Sequence, residues 1–185
     1  MKITPLDIPD VLLIEPMVFE DDRGFFFESF NLDKFKEITS LDVSFVQDNH
    51  SKSFKGVLRG LHYQIPPHAQ VKLTRVIQGE VLDIAVDIRE SSPTCGQYVA
   101  EILSSNNKKQ LYIPEGFAHG FLTLSDTSEY LYKTTHPYNP QSERCILWRD
   151  ATLNIQWPKS IKIQLSSKDL LGQYFEPSPL FSYKR

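Results

Sequence analysis

The sequence predicts an all-β domain, a sandwich, jelly roll or barrel with a few short helices. Three observations carry this. The dominant hydrophobic period is two, in short runs rich in β-branched and aromatic residues. Those runs are separated by turn-forming clusters such as Gln-Gly, Pro-Glu-Gly, Asp-Thr-Ser and Asn-Pro. Helix signals are few. The chain has 185 residues and shows no linker, low-complexity run or internal repeat, so residues 1–185 are expected to form one domain. A chain of this length buries about 70% of its unfolded surface and needs no disulfide or metal to fold.

From the N-terminus, Asn31 is placed to cap a short helix carrying Leu32, Phe35 and Ile38 on one side. Strands are expected at Val71–Ile77, Val81–Ile88, Tyr98–Leu103, Leu111–Ile113, Phe117–Leu124, Glu129–Thr134, Cys145–Trp148 and Ile161–Leu165. Val81–Ile88 has the clearest pattern. Leu82, Ile84, Val86 and Ile88 share one face while Asp83, Ala85 and Asp87 share the other, the alternation of a half-buried strand. A last helical turn is expected after Ser166 or Ser167, holding Lys168, Asp169 and Leu170.

Composition narrows the partners. The formal charge of −3 leaves no basic excess, so a nucleic-acid partner is not expected. Near the N-terminus the longest apolar run, Val11–Ile14, stops at Glu15. A secretory signal needs about 7–15 apolar residues and a membrane span about 18 or more. The expectation is a cytoplasmic protein with no membrane partner. Cys95 and Cys145 have neither CxxC nor metal-type spacing and read as reduced packing thiols.

Two stretches concentrate chemistry. Gly56–Val76 carries Arg59, His62, Lys72 and Arg75 between apolar strand residues. If residues 59–62 are extended, positions two apart share a face, and Lys72 arrives from the next strand. Leu111–Leu124 carries Pro114, Gly116 and His119 at a strand junction. Together the stretches resemble the two motifs of the cupin superfamily, which implies a jelly roll of the double-stranded β-helix type. Metal-binding cupins have H-x-H plus a Glu in the first motif, whereas this chain has His62-Tyr63-Gln64 and no Glu before Glu80. His62 and His119 alone are too few ligands, so no metal is expected.

A closer resemblance runs over nearly the whole chain. Its motifs are Asp22-Arg23-Gly24-Phe25-Phe26-Phe27-Glu28, Gln47-Asp48-Asn49-His50-Ser51, Gly56 to Gln64, Lys72-Leu73, Val86-Asp87-Ile88-Arg89, Ile113 to Phe121, Tyr132-Lys133-Thr134, Glu143-Arg144, Trp157-Pro158 and Ser167-Lys168-Asp169. In this order they resemble the dTDP-4-dehydrorhamnose 3,5-epimerases. Val71, His136 and Trp148-Arg149-Asp150 depart from the usual pattern, none at a catalytic position of that family.

The resemblance implies cofactor-independent epimerisation of dTDP-4-dehydro-6-deoxyglucose, on the route to dTDP-L-rhamnose. Inversion beside a ketone needs a base on one face, an acid on the other, and positive charge at the developing oxyanion. The resemblance assigns His62 as base with Asp169 as its carboxylate partner, Tyr132 as acid, and Lys72 near the ketone oxygen. It assigns substrate contacts to Arg23, Glu28, Gln47, Asn49, Arg59, Lys72, His119, Tyr138, Glu143 and Lys168, with Tyr138 stacking on the base and arginines on the diphosphate. Taken alone, each residue has a plainer reading. His62 suits a core, Lys72 a strand surface, Asp169 a helix start and Tyr138 a loop. Tyr132 shares its face with Tyr130, and the pattern does not choose between them. The resemblance also implies a homodimer that exchanges N-terminal strands, and the Phe25–Phe27 run wants a further apolar surface. A single-site epimerase, a 3,4-ketoisomerase and a non-catalytic sugar-nucleotide-binding cupin would keep much of the same set.

Overall fold

A computed structural model describes residues 1–183. In chain order the elements are β1 (Lys2–Pro5), β2 (Leu12–Glu15), β3 (Val18–Asp21), β4 (Gly24–Phe27), α1 (Leu32–Thr39), β5 (Gln47–Phe54), β6 (Leu58–Gln64), β7 (Lys72–Gln78), β8 (Glu80–Asp87), β9 (Tyr98–Ser104), β10 (Gln110–Ile113), β11 (Phe117–Thr123), β12 (Thr127–Thr134), β13 (Glu143–Cys145) and α2 (Ser167–Leu170). One sheet has the order β1-β2-β10-β7-β12-β5 and the other β13-β6-β11-β8-β9. β3 and β4 pair separately as a hairpin. The two larger sheets face each other across one apolar core, to which the first gives Leu13, Val76, Leu111 and Tyr130 and the second Val81, Val99, Leu103 and Phe121. Two antiparallel sheets closed around one core are the jelly roll that the cupin motifs imply.

β8 departs from the half-buried strand its pattern predicts. Ile84, Val86 and Ile88 pack in a second cluster with Leu61, Ala118, Ile146 and Leu153, against which Ile155, Trp157 and Phe175 also pack. The opposite face is buried as well, including Asp83 and Asp87, both fully inaccessible. Asp87 is satisfied by Arg89, Ser92 and Thr94. Asp83 belongs to the site described below.

Other differences have local causes. β5 lacks an apolar alternation because it is an edge strand paired only with β12. In the segment expected as Cys145–Trp148 the strand ends at Cys145, beyond which Ile146 exchanges backbone bonds with Leu61 and forms an isolated bridge to Gln173. Ile161–Leu165 likewise forms no strand, only a bridge from Gln164 to Val57. α1 forms as its cap predicts, with the Asn31 side chain accepting from the Lys34 amide. Of its expected apolar face only Phe35 is buried, whereas Leu32 and Ile38 remain exposed. The β3–β4 hairpin leaves Phe19, Phe25 and Phe26 exposed by 60%, 57% and 72%.

β6 contains the irregularity that shapes the site. Its pairing with β11 sets His119 opposite His62 and Phe121 opposite Arg59, so two residues of β6, Gly60 and Leu61, oppose one of β11, Gly120. This is a β-bulge at Gly60 and Leu61. Gly60 has φ +134, and a Cβ there would lie 2.5 Å from the Gly120 Cα. Only glycine meets both conditions. The bulge turns Arg59 and His62, three positions apart, toward the same cavity.

Candidate active site

That cavity has a volume of about 310 Å³, and its lining includes Arg59, His62, Lys72, His119, Tyr132 and Asp169. The His62 ring comes from β6 and Asp169 from α2. They are 107 positions apart in sequence, and the His62 Nε2 lies 2.5 Å from Asp169 Oδ1. Asp169 is buried, while His62 keeps partial access to the cavity. Ser166 caps α2 by accepting from the Asp169 amide, and its hydroxyl donates to Asp169 Oδ2 at 2.7 Å. Burial pushes the Asp169 carboxyl up, but the bonds from His62 and Ser166 outweigh it and hold it below the usual range. An ionised Asp169 accepts only, so Nε2 carries the proton and Nδ1 is left as the basic nitrogen.

Lys72, the first residue of β7, donates to the backbone carbonyl of His62 at 3.1 Å. It is buried, and desolvation pulls its ammonium down to about 8 against the attraction of Asp83 and Glu143. At neutral pH it is still largely cationic. A cation held in a dry site acts on developing negative charge far more strongly than one in water.

Beneath Lys72 sits a buried network of which the sequence-based site held only His119. Asp83 Oδ1 lies 2.8 Å from His119 Nε2, and Asp83 Oδ2 accepts from the Tyr130 hydroxyl and, at 3.4 Å, from Thr74. Burial lowers the His119 pKa, so its ring is held neutral against the pull of Asp83. The network separates the two tyrosines that strand pattern left equivalent. Tyr130 is fully buried with its hydroxyl engaged on Asp83, whereas Tyr132 is only partly buried at the cavity wall. Burial raises the Tyr132 phenol, which is therefore a neutral proton donor at pH 7.

The cavity mouth is formed by Tyr138, Glu143 and Lys168. The Tyr138 hydroxyl donates to Glu143 Oε2 at 2.7 Å, Lys168 pairs with the same oxygen, and the Lys168 Nζ lies 5.8 Å from the Tyr138 ring centre. Burial pushes the Glu143 carboxyl up, but these two partners bring it below its ordinary value. Arg59 reaches out from β6 and bonds to the Ser53 hydroxyl at 3.1 Å. Gln47 accepts from the Tyr138 amide at 3.0 Å and donates to Asn49 at 2.8 Å, which leaves the buried Asn49 Nδ2 unpaired. Ser51, a further wall residue that sequence reading did not select as a site residue, also has a buried hydroxyl without a partner.

Of the residues selected from sequence, the chain thus gathers His62, Asp169, Lys72, Tyr132, Arg59, His119, Tyr138, Glu143 and Lys168 around one cavity. Gln47 and Asn49 stand beside its mouth. Arg23 and Glu28 do not join it. Arg23 is on the β3–β4 hairpin, paired with Asp21 at 2.6 Å, and Glu28 bonds to Asn31 and Lys34.

Known proteins share this frame and its order. The family model described as dTDP-4-dehydrorhamnose 3,5-epimerase matches residues 5–176. The dTDP-4-dehydrorhamnose 3,5-epimerase of Shigella flexneri is 57% identical over 98% of this chain and 99% of its own. That of Pseudomonas aeruginosa is 58% identical over the same shares. The crystal structure of a dTDP-6-deoxy-D-glucose-3,5-epimerase from Legionella pneumophila, in complex with dTDP-4-keto-L-rhamnose, superposes with a TM-score of 0.95 at 46% identity, covering 100% of this chain and 99% of that one. A family match over residues 5–176, with relatives of 57% and 58% identity along 98% of its length, places this chain in the dTDP-4-dehydrorhamnose 3,5-epimerase family.

Proposed function

We propose that the chain is a dTDP-4-dehydrorhamnose 3,5-epimerase, an isomerase that inverts C3 and C5 of dTDP-4-dehydro-6-deoxyglucose beside its C4 ketone. The observation that carries the reading is the His62–Asp169 pair, 2.5 Å apart, opening into a cavity that Tyr132 and Lys72 also line. His62 Nδ1 takes the α-proton, and Asp169 stabilises the imidazolium that forms. Lys72 faces the negative charge that moves onto the C4 oxygen. Tyr132 returns a proton from the other face and regains its own from solvent, to which His62 releases the proton it took. Inversion follows because the proton leaves on one side of the enolate and arrives on the other. The same groups act a second time at the other carbon.

Nucleotide recognition falls to the mouth. Tyr138 offers a ring for stacking, Arg59 and Lys168 offer charge to the diphosphate, and Gln47, Asn49 and Glu143 offer polar contacts. His119 supports the sugar from the cavity floor. We further propose a homodimer that exchanges N-terminal strands, in which the partner's hairpin brings its Arg23 and Glu28 to this mouth. The three exposed phenylalanines of the β3–β4 hairpin support it. Light scattering at micromolar concentration should give the mass of a dimer, and a monomer mass would reject the exchange. The two half-buried free thiols suit the reducing cytoplasm in which we place the reaction.

Proton NMR of dTDP-4-dehydro-6-deoxyglucose with the protein in deuterated water tests the reaction. Loss of both the C3 and C5 proton signals is expected. Loss of one alone would make the chain a single-site epimerase, and binding without exchange would make it a sugar-nucleotide-binding protein.

A further inference from the structure

Behind the catalytic pair lies a thiol that the epimerisation does not use. β13 runs antiparallel to β6, and its register sets Cys145 opposite His62. One ligand atom each from His62, Cys145 and Asp169 lies within 4.8 Å of the other two. His119, the other histidine of the cavity, is not in this group, and its Nε2 lies against Asp83.

The three donors are imidazole nitrogen, thiol sulfur and carboxylate oxygen. Zn²⁺ and Cd²⁺ take such a mixed set, and three protein ligands with one open position is the usual form of an accessible tetrahedral site. The frame is stiff, because Ser166 fixes Asp169 and the β13–β6 ladder fixes Cys145. The thiol itself is loosely engaged, its hydrogen bond among the described residues being a long one to the neighbouring Ile146 carbonyl at 3.6 Å. Cys145 also borders a surface opening of about 250 Å³ shared with Glu143 and Lys168, which gives an ion a route in.

We propose that His62, Cys145 and Asp169 form an inhibitory site for a thiophilic divalent cation of the Zn²⁺ or Cd²⁺ type. The ion takes the Nε2 lone pair, one Asp169 oxygen and the Cys145 sulfur. The thiol proton leaves to solvent, and the Nε2 proton is exchanged through water onto Nδ1, so one proton is released per ion bound. The gap between Nε2 and Oδ1 must open from 2.5 Å to about 3.4 Å, the span of two bonds near 2.1 Å at a tetrahedral angle. Nδ1 is then protonated and no longer accepts a proton from the sugar. The inhibitory effect rests on His62 being the base, whereas the ligand set does not.

The full-length protein in chelator-free buffer, titrated with Co²⁺ alone, separates the two parts. A thiolate-to-cobalt charge-transfer band in the near ultraviolet is expected for the wild type and for Cys95→Ser, and none for Cys145→Ser. With Zn²⁺ alone, the Cys145→Ser enzyme should need at least about tenfold more metal for half-inhibition, measured against its own metal-free rate. Retained dTDP binding in each variant shows that it is folded. No band in the wild type, a band that survives Cys145→Ser, or equal zinc sensitivity of the two enzymes overturns the proposal. A Cys145-dependent band with the rate unaffected overturns the inhibitory role, and if His62→Ala is also active, the base assignment falls with it.

Discussion

At the cavity floor, Lys72, Asp83, His119 and Tyr130 are buried, and each has its polar atom against a partner from another strand. On the β3–β4 hairpin, Phe19, Phe25 and Phe26 are more than half exposed, and Arg23 pairs only with nearby Asp21. The floor takes charge out of water, which is expensive unless partners are complete. The hairpin leaves apolar area in water, which is unfavourable unless another surface covers it. One chain finishes the floor by itself and leaves the hairpin unfinished. The difference separates what the fold of a single chain completes, a buried polar network, from an apolar face that the proposed dimer would cover.

The sharpest way to break this division is at the base. His62→Ala should lower kcat by about 10²–10⁴-fold, the usual contribution of one general base. Circular dichroism should be unchanged, while the melting temperature should fall by a few degrees, because the buried Asp169 loses its His62 partner and keeps its bond to Ser166. Near-wild-type proton exchange in this variant would remove the base from the floor.

Lys72 comes next. Lys72→Met should lower kcat by about 10²–10³-fold, the cost of losing one oxyanion donor. Its melting temperature should stay level or rise, since a buried ammonium gives way to an apolar chain of similar length. A variant that loses activity and melts much lower would make Lys72 a structural residue instead.

The ionisation of Lys72 gives a smaller, graded effect. Its folded pKa, about 8, lies below the ordinary 10.5. The kcat/KM of the wild type should therefore fall about tenfold per pH unit above pH 8, as the cation is lost. In Lys72→Arg that alkaline limb should disappear from the accessible range, at a lower overall rate. Stability moves the other way. Between pH 8 and 10.5 the unfolded chain holds a proton that the folded chain has released, so this group's contribution to stability rises with pH across that window. Comparing thermal melts of wild type and Lys72→Met over this range checks the sign.

The floor was only partly legible in the sequence. Strand alternation placed β7–β12 well, because their apolar period reports one continuous core. It misjudged the exposure of β8, whose second face is equally buried but lined by Asp83 and Asp87, residues that pattern alone assigns to solvent. It also failed for β5, where polar residues on an edge strand erase the apolar period. No spacing rule brings His62 to Asp169 across 107 positions. Nor does strand parity put Arg59 and His62 in one cavity; a bulge at Gly60 does, and the glycine was its only trace. Motif resemblance supplied these residues. It did not supply Asp83, whose acid side chain in an otherwise regular strand was the available signal, nor Ser166 as the second partner of Asp169. The hairpin's strands were not read from the sequence, only the need of its phenylalanine run for a further apolar surface, and for a simpler reason. Three consecutive phenylalanines cannot all turn inward from one strand.

The hairpin offers the mildest test of the division. Phe26→Ser removes the most exposed of its rings, which one chain does not bury. If the hairpin were complete in the monomer, the change would leave mass and melting alone. If a second copy covers it, each lost ring removes about 1.5–3 kcal/mol of apolar burial, and a symmetric pair loses it twice. The dimer dissociation constant should then rise by about two to four orders of magnitude. Light scattering over a dilution series reads this directly. The floor remains intact in each chain, so kcat should hardly change at protein concentrations above the new dissociation constant. Below it, KM should climb, because the partner's Arg23 would no longer stand at the mouth, while the exchange chemistry persists. A fall in kcat at every concentration would mean that the hairpin reaches the floor as well, and that proton transfer and association are not separable in this enzyme.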